Sequence, residues 1–353
     1  MFTPIIIGVI TLSVIIITHE LGHFIAAKSF GVKVEEFGIG FPPRLLGIKR
    51  GETVYSLNAI PFGGFNKLAG EEDPEVPRSL AGKSRGIRLL VLGGGSVMNI
   101  LLAVVLFSLV FMIPRDVITG QVLVEEVAAD SPAAMAGISP GDIILSVNNE
   151  PVRNNNDLYR YIQNNRGEET TLLIQHADST RENVRLIPRL KPPADEGAIG
   201  VAITTVNTET ITQSFPVWQA VPMGIGQIVT YLVAYKESLG SLFSGEETAS
   251  FFGPVGIAQL TGEVAEIGGI RALLDITGFI SLLIGIFNLF PLPAIDGGRI
   301  TFVVLEWVRR GKRVSPKTEG LIHIIGMALL LVFLFALTYQ DIVRVISGES
   351  LIP

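Results

Sequence analysis

A His-Glu-Leu-Gly-His motif at residues 19–23 lies at the end of the apolar run 5–17, where a membrane-spanning helix is expected. On a helix, residues four apart share one face, so His19 and His23 can bind one metal ion while Glu20 accepts a proton from water. An ionisable side chain within a span costs roughly 2.5 to 3.5 kcal/mol on insertion scales unless it is paired or binds metal. The motif therefore predicts a zinc site with a general base inside the bilayer, as a protease would use. The alternatives are a chance grouping or a signal anchor with polar flanks, and the position of the motif within the apolar run argues against both.

The composition indicates a membrane protein. Only 17% of the residues are charged, against about 25% in an ordinary soluble domain. Apolar segments close to the roughly 20 residues that cross the hydrocarbon layer occur at 4–27, 89–113, 272–292 and 320–340, which predicts about four spans. The stretch 217–235 is also apolar but is interrupted by Pro222 and Gly224, so we predict an amphipathic helix at the membrane interface.

The charges predict an orientation. Lys and Arg concentrate in 28–88 and 309–317, which are predicted to be cytoplasmic by the positive-inside rule. The N terminus, residues 114–271 and the short C-terminal tail are then outside. The expected location is the plasma membrane, with several crossings and the active site toward the cytoplasm. A net charge of −6 gives no basic surface, so nucleic acid is not an expected partner. The chain has no cysteine, so any metal must be held by histidine and carboxylate.

A third metal ligand is needed, because catalytic zinc usually takes three protein ligands and leaves one position for water. Asp296 is the candidate: Pro291 and Pro293 break the preceding helix, and the glycines after Asp296 favour a turn at membrane depth. The alternative is a solvated aspartate after a helix end. Asp296 can join the histidines only if the third span crosses the membrane in the same direction as the first. The stretch 217–235 must therefore not make a single crossing of the membrane.

Three motifs in this order resemble the site-2 proteases, and among them the bacterial intramembrane zinc metalloproteases of the RseP type. They are the motif at 19–23, Gly-Gly-Gly-Ser at 93–96 followed by Asn99, and Asn-x-x-Pro-x-Pro-x-x-Asp-Gly at 288–297. The resemblance covers nearly the whole chain, with Ile295 where the family usually has leucine. One PDZ-like module stands where the RseP protein has two.

The resemblance implies a role for five side chains. One zinc ion per chain would be bound by His19, His23 and Asp296. Glu20 would be the catalytic base, and Asn288 would contact the substrate or stabilise the reacting carbonyl. The reaction implied is hydrolysis of peptide bonds in or near the transmembrane segments of single-pass membrane proteins. In the family these include anti-sigma factors and remnant signal peptides.

Two segments outside the spans have β-like sequence. Residues 37–65, with a turn at 49–52, predict short strands and a hairpin, which could bind an extended substrate at an edge or could only pack the spans. Residues 119–203 resemble a bacterial PDZ domain, with a helix at 156–164 and strands at 121–127, 170–175 and 181–188. Such a domain would bind a peptide ligand, or would be a tethered domain without one. Residues 245–256 are predicted to be a loop leading into the third span.

The predicted fold class is a polytopic α-helical membrane protein with a membrane-associated β-hairpin region and an inserted extracytoplasmic PDZ-like α+β domain. The predicted divisions are 1–116 (first half of the protease core), 117–204 (PDZ-like domain), 205–271 (interfacial amphipathic helix and loop) and 272–353 (second half of the core). A non-catalytic membrane adaptor with a peptide-binding PDZ module is the alternative function, and the intact Glu20 argues against it. A metal transporter is disfavoured because the other spans lack repeated acidic or histidine residues.

Overall fold

The computed structural model describes residues 2–193, 196–244 and 251–351. The chain separates into two compact units, one made of residues 1–113 and 215–353 and the other of residues 114–214. We call them the helical unit and the inserted unit. The inserted unit is somewhat longer than the predicted domain at 117–204.

The secondary structure elements are numbered in chain order. They are α1 (Phe2–Ser29), β1 (Val34–Arg50), β2 (Thr53–Leu68), α2 (Arg85–Met112), β3 (Arg115–Val127), α3 (Pro132–Met135), β4 (Ile143–Val147), β5 (Glu150–Pro151), α4 (Asn155–Asn164), β6 (Thr170–Gln175), β7 (Arg181–Leu186), β8 (Val201–Gln213), α5 (Val217–Ser244), α6 (Pro254–Phe287), α7 (Asp296–Val308) and α8 (Pro316–Ser347).

Five helices in the described residues, α1, α2, α5, α6 and α8, are long and apolar enough to cross a membrane. Four of them overlap the predicted spans, and α5 contains the stretch that we predicted to be interfacial. Most side chains of α8 face outward, including Leu329, Val332 and Phe335. This is the surface expected of a helix in contact with lipid, which solvates apolar side chains.

Small residues allow the helices of the helical unit to pack closely. A Cβ atom on Gly22 would clash with the carbonyl oxygen of Gly94, so the backbones of α1 and α2 touch at this point. In the same way, Gly8 of α1 lies against the backbone of Ala258 in α6. Glycine at helix contacts lets backbones approach, which is the usual basis of helix association in membranes.

The course of α6 differs from the prediction at both ends. Helix α6 starts at Pro254, so residues 257–271, predicted to belong to a loop and interfacial segment, are largely helical. Their small residues pack on α1, which gives this stretch a partner that hydropathy does not reveal. The helix ends at Phe287 rather than 292, where Asn288 caps it and the prolines follow. Residues 245–250 of the predicted loop lie outside the described residues.

Helix α6 also reverses direction. Ala258 lies against Gly8, and Gly262 lies against Pro4, so the first stretch runs antiparallel to α1. Gly269 then leaves the helical conformation with φ 63° and ψ −156°. After this break Ile280 packs with α1 in one apolar cluster, and the chain continues toward the His19 end. What hydropathy presents as one long helix is two helical stretches joined at Gly269.

Helix α5 packs against α2 and α6. Just before it, the amide of Phe215 donates to the carbonyl of Phe111 near the end of α2. Tyr231 packs against Phe107 with ring centroids 5.4 Å apart, and its hydroxyl donates to Asp275 at 2.5 Å. All of these partners lie at the end of the helical unit that is remote from His19.

Strands β1 and β2 each fold back on themselves, so that four stretches form one antiparallel sheet. Residues 34–39 pair with 64–68 on one side and with 54–57 on the other, and residues 46–50 pair with 53–57. The predicted turn at 49–52 is therefore present. The outer stretches are 44–50, which exposes Leu45, Leu46 and Ile48, and 64–68.

The inserted unit contains an antiparallel sheet with strand order β7-β6-β4-β3-β8, and β5 pairs with β4. Its core includes Val122, Ile144, Leu172 and Ile174 from the sheet and Leu158 from α4. Helix α4 and strands β6 and β7 lie where the sequence predicted a helix and two strands. Strand β3 begins earlier than expected, and β8 continues to Gln213 because the two strands pair along their whole length.

Candidate metal centre

Three side chains from two helices converge at the centre of the helical unit. The Nε2 atoms of His19 and His23 are 3.1 Å apart. Oδ2 of Asp296 lies 2.9 Å from Nε2 of His19 and 3.1 Å from Nε2 of His23. Both histidines are buried, and Asp296 is half-buried at the first residue of α7. The three predicted metal ligands are therefore brought together from positions that are 277 residues apart in the sequence.

A hydrogen bond of Nδ1 fixes the tautomer of His23 and shows which ring nitrogen carries the lone pair. Its Nδ1 lies 2.8 Å from the carbonyl oxygen of Val91 in α2. A carbonyl oxygen only accepts, so Nδ1 carries the proton and Nε2 of the neutral ring is unprotonated. A carbonyl that accepts a hydrogen bond from the other ring nitrogen is a usual orienting group for a metal-binding histidine.

The donor set and its spacing fit a zinc ion. Ligand atoms about 2.0–2.1 Å from a tetrahedral zinc ion lie roughly 3.3 Å from one another. The three atoms here are separated by 2.9 to 3.1 Å, close to that value. Two imidazole lone pairs and a carboxylate oxygen at such short separations repel one another unless a cation or proton lies between them. Within the described residues this is the one cluster of at least three His, Cys, Asp or Glu side chains with metal-ligand spacing.

Gly95 of α2 forms the floor of the centre. A Cβ atom at this position would lie 2.5 Å from Nε2 of His19 and closer still to Nε2 of His23. Any side chain at position 95 would therefore occupy the space where the ligand atoms converge. The close contact of Gly22 with Gly94, one residue earlier, holds the backbone of α2 against α1 at this level.

Asn99, one turn further along α2, supports His19. Its side-chain amide lies 3.4 Å from Nδ1 of His19, and both residues are buried. The backbone carbonyl of Asn99 accepts a hydrogen bond from Ser281 Oγ at 2.9 Å, which ties this point of α2 to α6. Each imidazole is thus held by α2 through the ring nitrogen that faces away from the cluster.

Glu20 is held from the opposite side by the β1–β2 sheet. The side-chain amide of Asn66, in the outer stretch 64–68, donates to Glu20 Oε2 at 2.8 Å and also to its backbone carbonyl. Gly64 lies in the same stretch, and a Cβ atom there would be 3.7 Å from Glu20 Cγ. Asn66 cannot be recognised from the sequence, because a contact between a strand and a helix 46 residues apart leaves no spacing pattern.

The loop before Asp296 is held by the last helix. Ala294 has φ 77°, and its amide donates to Nδ1 of His323 at 3.1 Å. His323, in α8, therefore fixes the approach to Asp296. One turn after Asp296, Arg299 forms an ion pair with Glu71, which follows β2. The segment around Asp296 is thus held by His323 before Asp296 and by the Arg299–Glu71 ion pair after it.

Asn288, the predicted substrate contact, lies at the C-terminal end of α6. Asn288 caps α6, and its Nδ2 donates to the carbonyl of Ile284 at 2.9 Å, with no hydrogen bond to the ligands in the described residues. His176 lies in the inserted unit. It contacts Asp142 at 2.9 Å.

Known proteins resemble this chain over most of its length. The chain matches the family described as Peptidase family M50 over residues 7–333. It is 36% identical over 348 residues to a Clostridium acetobutylicum protein named as a zinc metalloprotease, covering 98% of this chain and 99% of that protein. It is 32% identical over 345 residues to a similarly named protein of Clostridium perfringens, covering 96% and 98% of the two chains. It is 27% identical over 428 residues to the zinc metalloprotease RasP of Oceanobacillus iheyensis, covering 97% and 99%. With its histidines, carboxylates and apolar helices in place, the chain belongs to peptidase family M50, the site-2 proteases.

Proposed function

We propose that the chain is an intramembrane zinc metalloprotease that hydrolyses peptide bonds in or near the transmembrane segments of other membrane proteins. The observation that carries this proposal is the convergence of His19, His23 and Asp296 on apolar helices, with Glu20 in the next position of the same helix. The relatives named as zinc metalloproteases match over nearly their full length, which supports zinc as the metal and a peptide bond as the target.

The residues of the chain have separate tasks in this reaction. Zinc, when bound by the two histidines and Asp296, lowers the pKa of water and polarises a carbonyl. Glu20 takes the proton from the attacking water and returns it to the nitrogen of the leaving peptide, so one carboxylate acts as base and then as acid. Asn288 is proposed to contact the substrate or the reacting carbonyl. Helix α2 excludes water from the side of the centre that Gly95 covers.

The substrate would bind in an extended conformation. A helix hides its carbonyl groups in its own hydrogen bonds, so a transmembrane substrate must unwind before the scissile carbonyl can be attacked. The outer stretch 64–68 of the β1–β2 sheet runs beside Glu20, and an extended chain could pair with it. We therefore propose that this sheet associates with the membrane and presents the substrate to the centre.

The proposed arrangement in the plasma membrane has four crossings. Before α5, Phe215 lies beside the C-terminal end of α2. After α5, the backbone amide of Gly256 donates to Asp341 near the C-terminal end of α8. The chain is thus on the side of the helical unit remote from His19 both before and after α5. A segment that starts and finishes on one side does not cross once. Helix α5 is then interfacial, the basic segments face the cytoplasm together with the active site, and the inserted unit is extracytoplasmic.

We further propose that the inserted unit is a PDZ domain that binds a peptide. Strand β8 is an edge of its sheet, and Asn155 at the start of α4 donates to the carbonyl of Ile203 in β8 at 3.3 Å. The edge of β8 beside α4 can accept an extended ligand. The partners expected are single-pass membrane proteins of the kind cut in regulated intramembrane proteolysis, such as anti-sigma factors, or remnant signal peptides.

The test is cleavage of a reporter transmembrane substrate by the detergent-solubilised chain and by Glu20→Gln, with the zinc content measured in both. We expect zinc in both proteins and cleavage by the parent alone. A well-folded parent without zinc would overturn the proposed metal centre. A panel of single-pass substrates that all remain uncut by zinc-loaded parent would favour the non-catalytic adaptor, whose inserted unit binds peptides.

A further inference from the structure

Glu20 receives its hydrogen bond from a different element than the metal ligands do. The imidazoles of His19 and His23 are held by α2, through Asn99 and the carbonyl of Val91. The carboxylate of Glu20 is held by Asn66 of β2, which donates to Oε2 at 2.8 Å. Among the described residues, this is the hydrogen bond that fixes the direction of the Glu20 carboxylate.

The orientation of the Asn66 amide follows from its surroundings. Nδ2 faces two acceptors, the backbone carbonyl and the carboxylate of Glu20. Turning the amide over would place Oδ1 against both acceptors, so the donor must face Glu20. The one amide group therefore binds two acceptors of Glu20, and this holds the Glu20 side chain in place relative to its own backbone.

The other end of the same amide has no hydrogen-bond partner in the described residues. Oδ1 of Asn66 is buried, and leaving such an acceptor unsatisfied costs free energy. An apolar residue at this position would avoid that cost. Unsatisfied buried polar groups in native proteins call for an explanation, and a site of chemistry is one of the usual ones. What distinguishes Asn66 is that both acceptors of its Nδ2 belong to Glu20.

We infer that Asn66 is a positioning residue: it holds the Glu20 carboxylate in the direction needed to accept and return the proton during peptide hydrolysis. Because Asn66 belongs to the outer stretch 64–68, the strand proposed to bind the substrate also sets the base. The inference rests on the proposed function. It adds a residue whose side chain acts on the base, whereas the metal ligands and their supports act on the zinc ion.

The first test uses three substitutions in the full chain, with kcat and KM measured on the same reporter substrate. Asn66→Leu removes the donor at similar size, Asn66→Asp replaces it with a carboxylate that repels Glu20, and Asn66→Gln retains a donor. We expect kcat to fall about 10- to 100-fold in the Leu and Asp variants, with KM nearly unchanged and partial recovery in Gln. Zinc content should be unaffected in all three.

Asn58→Ala is the matched control, because Asn58 is an asparagine of the same sheet. Its Nδ2 donates to the carbonyl of Gly40 at 3.1 Å, and its Oδ1 is likewise unpartnered among the described residues. This variant disturbs the sheet without touching Glu20. If Asn66→Leu lowered kcat no more than Asn58→Ala does, or raised KM instead, the positioning role would be overturned.

A second readout does not depend on catalysis. In protein labelled with ¹⁵N-asparagine and free of metal, Glu20→Gln should shift the side-chain amide resonances of Asn66 and leave those of Asn58 in place. Unshifted Asn66 resonances would contradict the contact itself. Failure of the proposed function and failure of this inference give different results. A parent without cleavage refutes the proposed function. An active parent with fully active Asn66 variants refutes only the positioning role of Asn66.

Discussion

Gly95 occupies a position where one methyl group would fill the metal site. Its missing side chain leaves the space in which both Nε2 atoms and Oδ2 of Asp296 meet. Losing a group that hydrogen-bonds to a metal ligand typically lowers metal affinity about 10- to 100-fold. We expect Gly95→Ala to lower the affinity for zinc by more than this, because the added Cβ takes the place of the ion. Zinc content after purification, together with a competition titration, measures this.

Gly93→Ala is the matched control for that prediction. Gly93 lies two residues earlier in α2, and a Cβ atom there meets nothing within 4 Å. Both substitutions raise helix propensity by about 1 kcal/mol, so a difference between them reports on the centre rather than on the helix. Equal zinc contents in the two variants would show that the ion is not bound above Gly95.

His176 predicts a pH dependence for the inserted unit. Its hydrogen bonds to Asp142 and Glu182 raise the pKa of the imidazole above its usual value. A raised folded-state pKa adds stability that is complete below the unfolded pKa of about 6.5 and is lost as the pH rises through the folded value. Amide exchange in β4 and β6, corrected for its intrinsic pH dependence, should therefore show less protection as the pH is raised through that window. In His176→Asn the trend should vanish, and an equal trend in both proteins would refute its assignment to His176.

How far the sequence predicts the site depends on whether a residue belongs to a local pattern. His19, Glu20 and His23 are recognised from their spacing on one helix, and Asp296 from the prolines and glycines around it. Asn66 and His323 act through contacts between distant elements, and a single sequence carries no periodicity for such contacts. Gly95 lies within a recognisable glycine run, but which of its three glycines faces the metal depends on the rotation of α2 against α1.

The break in α6 depends on one backbone conformation. Gly269 has φ 63° and ψ −156°, a region open almost only to glycine. We expect Gly269→Ala to destabilise the helical unit by about 1–3 kcal/mol, measured as a lower unfolding temperature in detergent. Gly226→Ala in α5 is the control, since a Cβ atom there meets nothing and its backbone is helical. If the two variants unfolded at the same temperature, α6 would not need its break.

Local sequence patterns predict some elements well and others poorly. The β stretches and the turn near Gly51 follow from alternation and turn residues, and the structure has them. For α6, hydropathy misleads. The first stretch of α6 falls within the division 205–271 that was predicted to be an interfacial helix and a loop, whereas Gly256 and Gly262 lie at close helix contacts in the structure. A glycine that permits close packing and a glycine that ends a helix look alike until the partner helix is known.

The number of membrane crossings can be measured directly by cysteine labelling, because the chain has no cysteine of its own. Trp218→Cys and Phe251→Cys place thiols at exposed positions before and after the bulk of α5, and Lys312→Cys places one between α7 and α8. With an impermeant maleimide added outside, we expect the first two to react and the third to stay protected until the membrane is opened. Labelling of Trp218→Cys and Phe251→Cys from opposite sides would mean that α5 crosses the membrane.

The two halves of the metal centre are also separated in time. The inserted unit and α5 lie between His23 and Asp296, and 277 residues separate His19 from the carboxylate that completes the ligand set. At about 5–20 residues per second of synthesis, the histidines wait roughly 15 to 55 s for Asp296 to be made. Throughout that interval the growing chain contains Glu20 and the two histidines but not the carboxylate of the cluster. The complete three-residue cluster therefore exists only after synthesis has passed the start of α7, late in the life of the nascent chain.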